Sequence, residues 1–179
     1  GTEGGFAGLY PILKALEERG RVRRGYFVAG LGAAQFALPG AVDRLRSFRS
    51  LDDGGGSDAE GTILTLSVVD PAQPYGAALR WPQSGGRPSR SAGAHLLLAD
   101  GEPLVFLERG GHAVSLFSGA ATRPDWPVGL LHLLDRRRYR SIEIRTADGL
   151  PVREVPEVAD ALRAHGWQDA YKGLVRRTS

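Results

Sequence analysis

The chain has 179 residues, 42% hydrophobic and 24% charged, which is enough for one good core or for a small unit beside a larger one. It has no Cys, which excludes a disulfide framework and a cysteine-held metal, and its net charge of +3 permits a nucleic acid partner without requiring one. No apolar run approaches the roughly 20 residues of a membrane span, and no signal-peptide pattern is present, so no membrane partner is expected and a cytoplasmic setting is the default.

The first predicted element is an amphipathic helix. Phe6, Leu9, Leu13 and Leu16 recur at three- and four-residue steps and form one apolar stripe. Pro11 is expected within the first turn or two, and Arg19 with Gly20 suits a helix C-terminus. Arg21, Arg23 and Arg24 follow, with Val22 between them and Gly25, Tyr26 and Phe27 after. A helix running at once into a short basic hairpin has the shape of a winged helix, in which the helix enters a groove and the wing holds phosphates. The plain alternative is a solvated hairpin on an ordinary helix. Lys occurs only at Lys14 and Lys172, and this arginine bias has two open causes, genome composition and bidentate phosphate contact. The sequence contains no Met, and a winged helix needs helices ahead of this one, so a fragment of a longer protein is expected.

A second helix is predicted over 40–47, behind Pro39. The Asp-, Gly- and Ser-rich stretch at 49–60 reads as a flexible linker and as the domain boundary, giving a winged-helix part at 1–48 and a second module at 61–179. In that module, strands are predicted at 63–70, 95–99, 104–107 and 113–117, with Asp100-Gly101 as a hairpin turn and Gly110-Gly111 as a break. Pro71, Pro74 and Gly76 make residues 70–82 a fixed, turn-rich excursion. A helix over 127–137 ends in the cluster Arg136 to Arg140. A half-buried strand at 141–145, a turn at Asp148-Gly149, a short helix at 156–165 and a final strand within 167–177 complete the chain. The fold class is therefore α+β, with the short, closely spaced strands expected to form a small antiparallel β-barrel accompanied by two short helices.

The segments ALEERGRVRRGYFVAGLGAAQFALPGAVDRLR, DPAQPYGAALRWP and RSAGAHLLLADGEPLVFLERGG resemble the C-terminal region of the Lhr family of large helicase-related proteins. The resemblance covers nearly the whole chain. It implies that an ATP-driven helicase core, absent here, precedes an extension of winged helices capped by a β-barrel module similar to AlkZ-type DNA glycosylases. No G-x-x-x-x-G-K-[ST] loop is present, so neither an ATPase nor a bound cofactor is expected in this chain. The Gln-x-Gln motif of the AlkZ-type enzymes is also missing, since Gln35, Gln73, Gln83 and Gln168 stand alone.

Three functional readings follow. In the first, the chain is a DNA-binding and scaffolding module of a repair helicase. Lys14, Arg21, Arg23, Arg24 and Tyr26 would meet single-stranded DNA or a duplex with a single-stranded tail, and the rest of the parent helicase chain would be its partner. Arg90 and Arg109 would touch phosphates or else pair with Glu102 and Glu108. Tyr75 and Trp81 would stack on bases or else plug the second module. In the second reading the chain removes bases. Asp70 and Asp100 are the carboxylates in motif-like surroundings, although each is more simply a turn residue, and no catalytic or metal-binding residue is assigned. In the third the module is structural and builds a homo-oligomer, with Trp126, Leu130 and Leu131 at an interface.

Overall fold

Helix α1 spans Gly5–Glu18 and stops where a glycine can take a left-handed turn. Gly20 has φ +69. Its N–H donates to the Glu17 carbonyl at 2.8 Å, and the N–H of Arg21 donates to the Leu16 carbonyl at 2.9 Å, so two otherwise orphaned carbonyls are satisfied. Pro11 sits in the second turn of the helix, deeper than the free N–H groups of the first turn, so its ring removes one internal hydrogen bond. The structure, a computed structural model, describes residues 5–29, 31–32, 34–52, 61–135 and 138–178, the side chains of 48–52 excepted. These residues divide into two compact units, 1–58 and 59–179.

In the first unit, strand β1 (Arg23–Gly25) pairs antiparallel with β2 (Gln35–Ala37), and Arg24 stands opposite Phe36. The Tyr10 ring of α1 meets Phe36 edge-on at 6.0 Å and Phe6 at 6.1 Å, which seats the hairpin on the helix. Helix α2 spans Ala41–Asp52 and runs into the predicted linker, whose remaining residues, 53–60, lie outside the described ones. Among the described residues of this unit only Val22 is buried. The predicted stripe on α1 is partly covered: Leu13 and Leu16 are half-buried, while Phe6 and Leu9 are exposed.

The second unit is built on an open six-stranded sheet. Its strands are β3 (Leu64–Ser67), β4 (His95–Ala99), β5 (Glu102–Leu107), β6 (Ala113–Leu116), β8 (Thr146–Ala147) and β9 (Leu150–Pro151), hydrogen-bonded in that order. Between β6 and β8 in the chain come helix α3 (Val128–Asp135) and β7 (Ser141–Ile144). After β9 come helix α4 (Pro156–Ala164), β10 (Gln168–Asp169) and β11 (Leu174–Arg177). The last two strands join β7 in a separate sheet of order β10-β11-β7. The expected barrel does not form. After β7 the chain crosses at Arg145 from one sheet to the other, so β7 and β11, which a barrel would need for closure, are used elsewhere. The two-residue strand β8 enters parallel to β6, and β3 and β9 remain as edges. The α+β class stands.

Both faces of the sheet are covered, which explains why β4 reads as the unbroken run HLLLA. Leu97 and Ala99 pack with Leu130 and Leu134 of α3 and Leu162 of α4. Leu96 and Leu98 point the other way, into a cluster with Tyr75, Phe106 and Phe117. The 70–82 excursion supplies the cover on that second face, since Trp81 stacks between Tyr75 and Phe117 at ring separations of 6.2 and 6.3 Å. Trp126 and Leu130 are 2% and 0% exposed within the first cluster, and Leu131 packs on it, so the suggested interface residues belong to the core.

Candidate nucleic-acid interface

The wing is held by one side chain. The Gln35 carbonyl accepts the N–H groups of Phe27 and Val28 at 2.9 and 2.8 Å, and its amide donates to the carbonyls of Val28 and Gly32. All four contacts are local, so Gln35 fixes the loop between β1 and β2 and leaves no amide contact for base chemistry.

The pleat of β1 separates the arginines. Arg23 and Arg24 are consecutive in a strand and leave it on opposite faces. Arg24 turns to α1, 3.4 Å from the Glu17 carboxylate and 3.4 Å from the Tyr10 hydroxyl. An exposed pair of this kind contributes only about 0–1 kcal/mol, so it orients the side chain more than it stabilises the unit. Arg21 and Arg23 are exposed, and neither makes an ion pair among the described residues. Lys14 is exposed on α1, and Tyr26 is 80% exposed at the hairpin. A groove of about 460 Å³ runs beside Tyr26, between β1 and α2, and is lined by Arg23, Arg24, Tyr26 and Arg46. Arg46 also meets Asp43 at 3.5 Å. The wing thus presents cations on both faces of a short ribbon rather than as one cluster.

The sequence-derived candidates of the second unit separate into structural and exposed groups. Arg90 donates to the backbone carbonyls of Gln73 at 2.9 Å, Tyr75 at 3.4 Å and Asp70 at 3.5 Å. Its guanidinium therefore fastens the 70–82 excursion and pairs with neither Glu102 nor Glu108. Arg109 is exposed without an ion pair among the described residues, and its stem lies beside Gly93. Tyr75 is 8% exposed and donates to the Gly101 carbonyl at 3.0 Å. Its ring and that of Trp81 face protein, which is the plug rather than the stacking platform. Asp70 accepts the Ala72 N–H at 2.8 Å, a turn contact. Asp100, at φ 51, forms the hairpin turn with Gly101 at φ 85.

A cleft that the sequence gave no sign of lies at the β3 edge. It has a volume of about 370 Å³ and is lined by residues 62–67, with Asp70, His95, His132, Leu133 and Arg138. His95 is 6% exposed, and its Nδ1 has no hydrogen-bond partner. Burial and the nearby Arg138 cation hold its pKa below the ordinary 6.5, so the ring is neutral at pH 7. The Tyr139 ring meets His95 edge-on at 5.8 Å and anchors its hydroxyl on the Gly93 carbonyl. His95 and His132 lie 37 positions apart and are joined only because α3 packs against β3, a juxtaposition that spacing does not encode. The one available signal was a polar residue heading an otherwise apolar strand. Among the described residues, no group of three or more acidic or histidine side chains is placed to hold a metal. No helix among them is long and apolar enough to cross a membrane.

Residues 1–56 match the family described as the large helicase-related protein winged-helix domain. A protein of Mycolicibacterium smegmatis named "Lhr helicase/ probable uracil glycosylase" is 44% identical over 183 residues, covering 97% of this chain and 12% of the relative. The chain is therefore similar to a segment of an Lhr helicase, and its residues 1–56 to the Lhr winged-helix domain. An Escherichia coli protein named "Lhr helicase/uracil glycosylase" is 32% identical over 175 residues, covering 96% of the chain and 11% of that relative. The chain thus spans about an eighth of the length of these Lhr relatives. The match to the Lhr winged-helix domain takes in α1, the β1–β2 hairpin and α2.

Proposed function

We propose that this chain is a nucleic-acid-binding and scaffolding module of an Lhr-type DNA repair helicase, working in the cytoplasm on single-stranded or tailed duplex DNA. The ATPase would lie elsewhere in the parent chain, which is the module's first partner. The observation that carries the reading is the pair of exposed guanidiniums, Arg21 in the turn ahead of β1 and Arg23 on β1, without ion-pair partners among the described residues, in a unit that matches a winged helix. Arginine without a carboxylate partner suits a phosphate, because its planar fork is weakly hydrated and bidentate. Few long polar side chains stand on α1, so contacts go to the backbone and sequence preference is weak. Changing Arg21 and Arg23 together to Ala is expected to weaken binding of a tailed duplex about tenfold or more at low salt. An unchanged dissociation constant would reject the assignment.

A second reading, base removal, draws on the printed names of both relatives and on the β3-edge cleft, where Asp70 is the one carboxylate among the described lining residues. Breaking a glycosidic bond builds positive charge on the sugar, which a carboxylate stabilises while water is added. The expected result is abasic product from a uracil-containing strand with the native chain and none with Asp70→Asn, which keeps the oxygen that accepts the Ala72 N–H. Equal product from both proteins would remove Asp70 from the chemistry.

A further inference from the structure

The cleft beside β3 combines features that rarely occur together in a purely structural gap. Its walls are mixed: Ile63, Leu66 and Leu133 are apolar, whereas Asp70, His95 and Arg138 are polar or charged. Its volume of about 370 Å³ falls within the range of small-ligand sites, about 300–1,000 Å³. The imidazole of His95 is 94% buried by its 6% exposure and keeps a ring nitrogen without a partner. A buried polar atom left in this state costs about 1–3 kcal/mol, which marks the His95 ring as held in place by its surroundings. β3 is also an edge strand, so one row of its backbone N–H and C=O groups is not used by the sheet and runs along the cleft wall.

These features define the occupant. A divalent metal does not suit the described lining, because no three acidic or histidine side chains cluster there among the described residues. A bare phosphate does not suit the described lining either, because Arg138, the one Arg or Lys among the described lining residues, shares the cleft with the Asp70 carboxylate. A flat, neutral heterocycle with donors and acceptors on its edge suits both the neutral histidine and the open strand edge, and a phosphate attached to it would reach Arg138. We propose that the cleft receives one unpaired nucleobase of a bound strand. Its polar edge lies on His95 and the backbone of β3, its face against Leu133 and the ring of His132, and its adjoining phosphate on Arg138. Extrusion of a base from a duplex costs a few kcal/mol, so unpaired or mismatched positions are preferred. The proposal rests on the nucleic-acid reading of the chain but is independent of the wing arginines and of any base removal.

The test uses the four histidines as reporters in the full 179-residue chain. Imidazole NMR signals are followed while deoxyuridine 5′-monophosphate, deoxyuridine or inorganic phosphate is added. His112 and His165 do not line the cleft and serve as internal controls. The expected result is a saturable shift of His95 and His132 with deoxyuridine and with its monophosphate, tighter with the monophosphate and absent with phosphate alone. Arg138→Ala should weaken the monophosphate about tenfold and leave deoxyuridine unchanged, as expected for loss of one charged contact. Arg21→Ala with Arg23→Ala should leave these shifts intact even where DNA binding is lost, which separates a failure of this site from a failure of the wing. No shift at saturating nucleotide, equal shifts of all four histidines, or the same shift with phosphate alone would each overturn the proposal.

Discussion

A single buried amide shows how the turn-rich 70–82 excursion is held. Gln73 is 1% exposed, and its Nε2 donates to the carbonyls of Val68 at 3.1 Å and Tyr75 at 3.0 Å, while its oxygen accepts the Tyr75 N–H. Arg90 grips the same turn from the other side. Gly76, at φ +75, gives the turn its left-handed residue, and an added Cβ would lie 2.4 Å from the Trp81 indole nitrogen. Residue types alone signalled a fixed turn here, which these hydrogen bonds close. They could not show that Arg90 faces inward, because a guanidinium aimed at carbonyls and one aimed at phosphate have the same sequence. Gln73→Ala leaves buried backbone groups without partners and is expected to cost about 3 kcal/mol, read as a lower urea midpoint at constant slope. A midpoint within error of the native one would show that the turn holds without the amide.

Local rules described most elements well. The glycine stop of α1, the two left-handed Asp-Gly turns at 100–101 and 148–149, and the Pro156 start of α4 each follow from backbone stereochemistry over two to six residues. Closure of the sheet is a long-range property, and the barrel expectation failed there. Nothing in SIEIRTADGL announces that the strand changes sheets at Arg145, or that its continuation pairs parallel with β6. The return of the chain from β10 to β11 depends on a similar long-range approach. An added Cβ on Gly173 would lie 2.0 Å from the Ile144 carbonyl oxygen of β7, which is backbone and cannot move aside cheaply. Gly173→Ala is therefore expected to destabilise the second unit by about 1–3 kcal/mol through overpacking, with the loss visible as a lower melting temperature. A neutral or stabilising effect would show that β7 and β11 are less closely held than this register requires.

At the scale of the whole molecule, the two units contribute differently. The second unit holds nearly all the buried apolar side chains, with a sheet covered on both faces, and it positions the β3-edge cleft. The first unit is a small frame on which exposed cations are carried by a hairpin locked through Gln35. The wing was legible in the sequence because a glycine-stopped helix and an arginine-dense ribbon are both local patterns. The separation of Arg23 from Arg24 by the strand pleat, and the tie of Arg24 to Glu17, were not apparent from charge counting. The central claim is that Arg21 and Arg23 neutralise phosphates, and the salt dependence of DNA binding tests it most directly. Each phosphate neutralised contributes about 0.7–0.9 to the slope of log K against log salt. The account predicts that Arg21→Ala with Arg23→Ala lowers the magnitude of that slope by about 1.4–1.8, together with a loss of affinity at low salt. A slope identical to that of the native chain would contradict it.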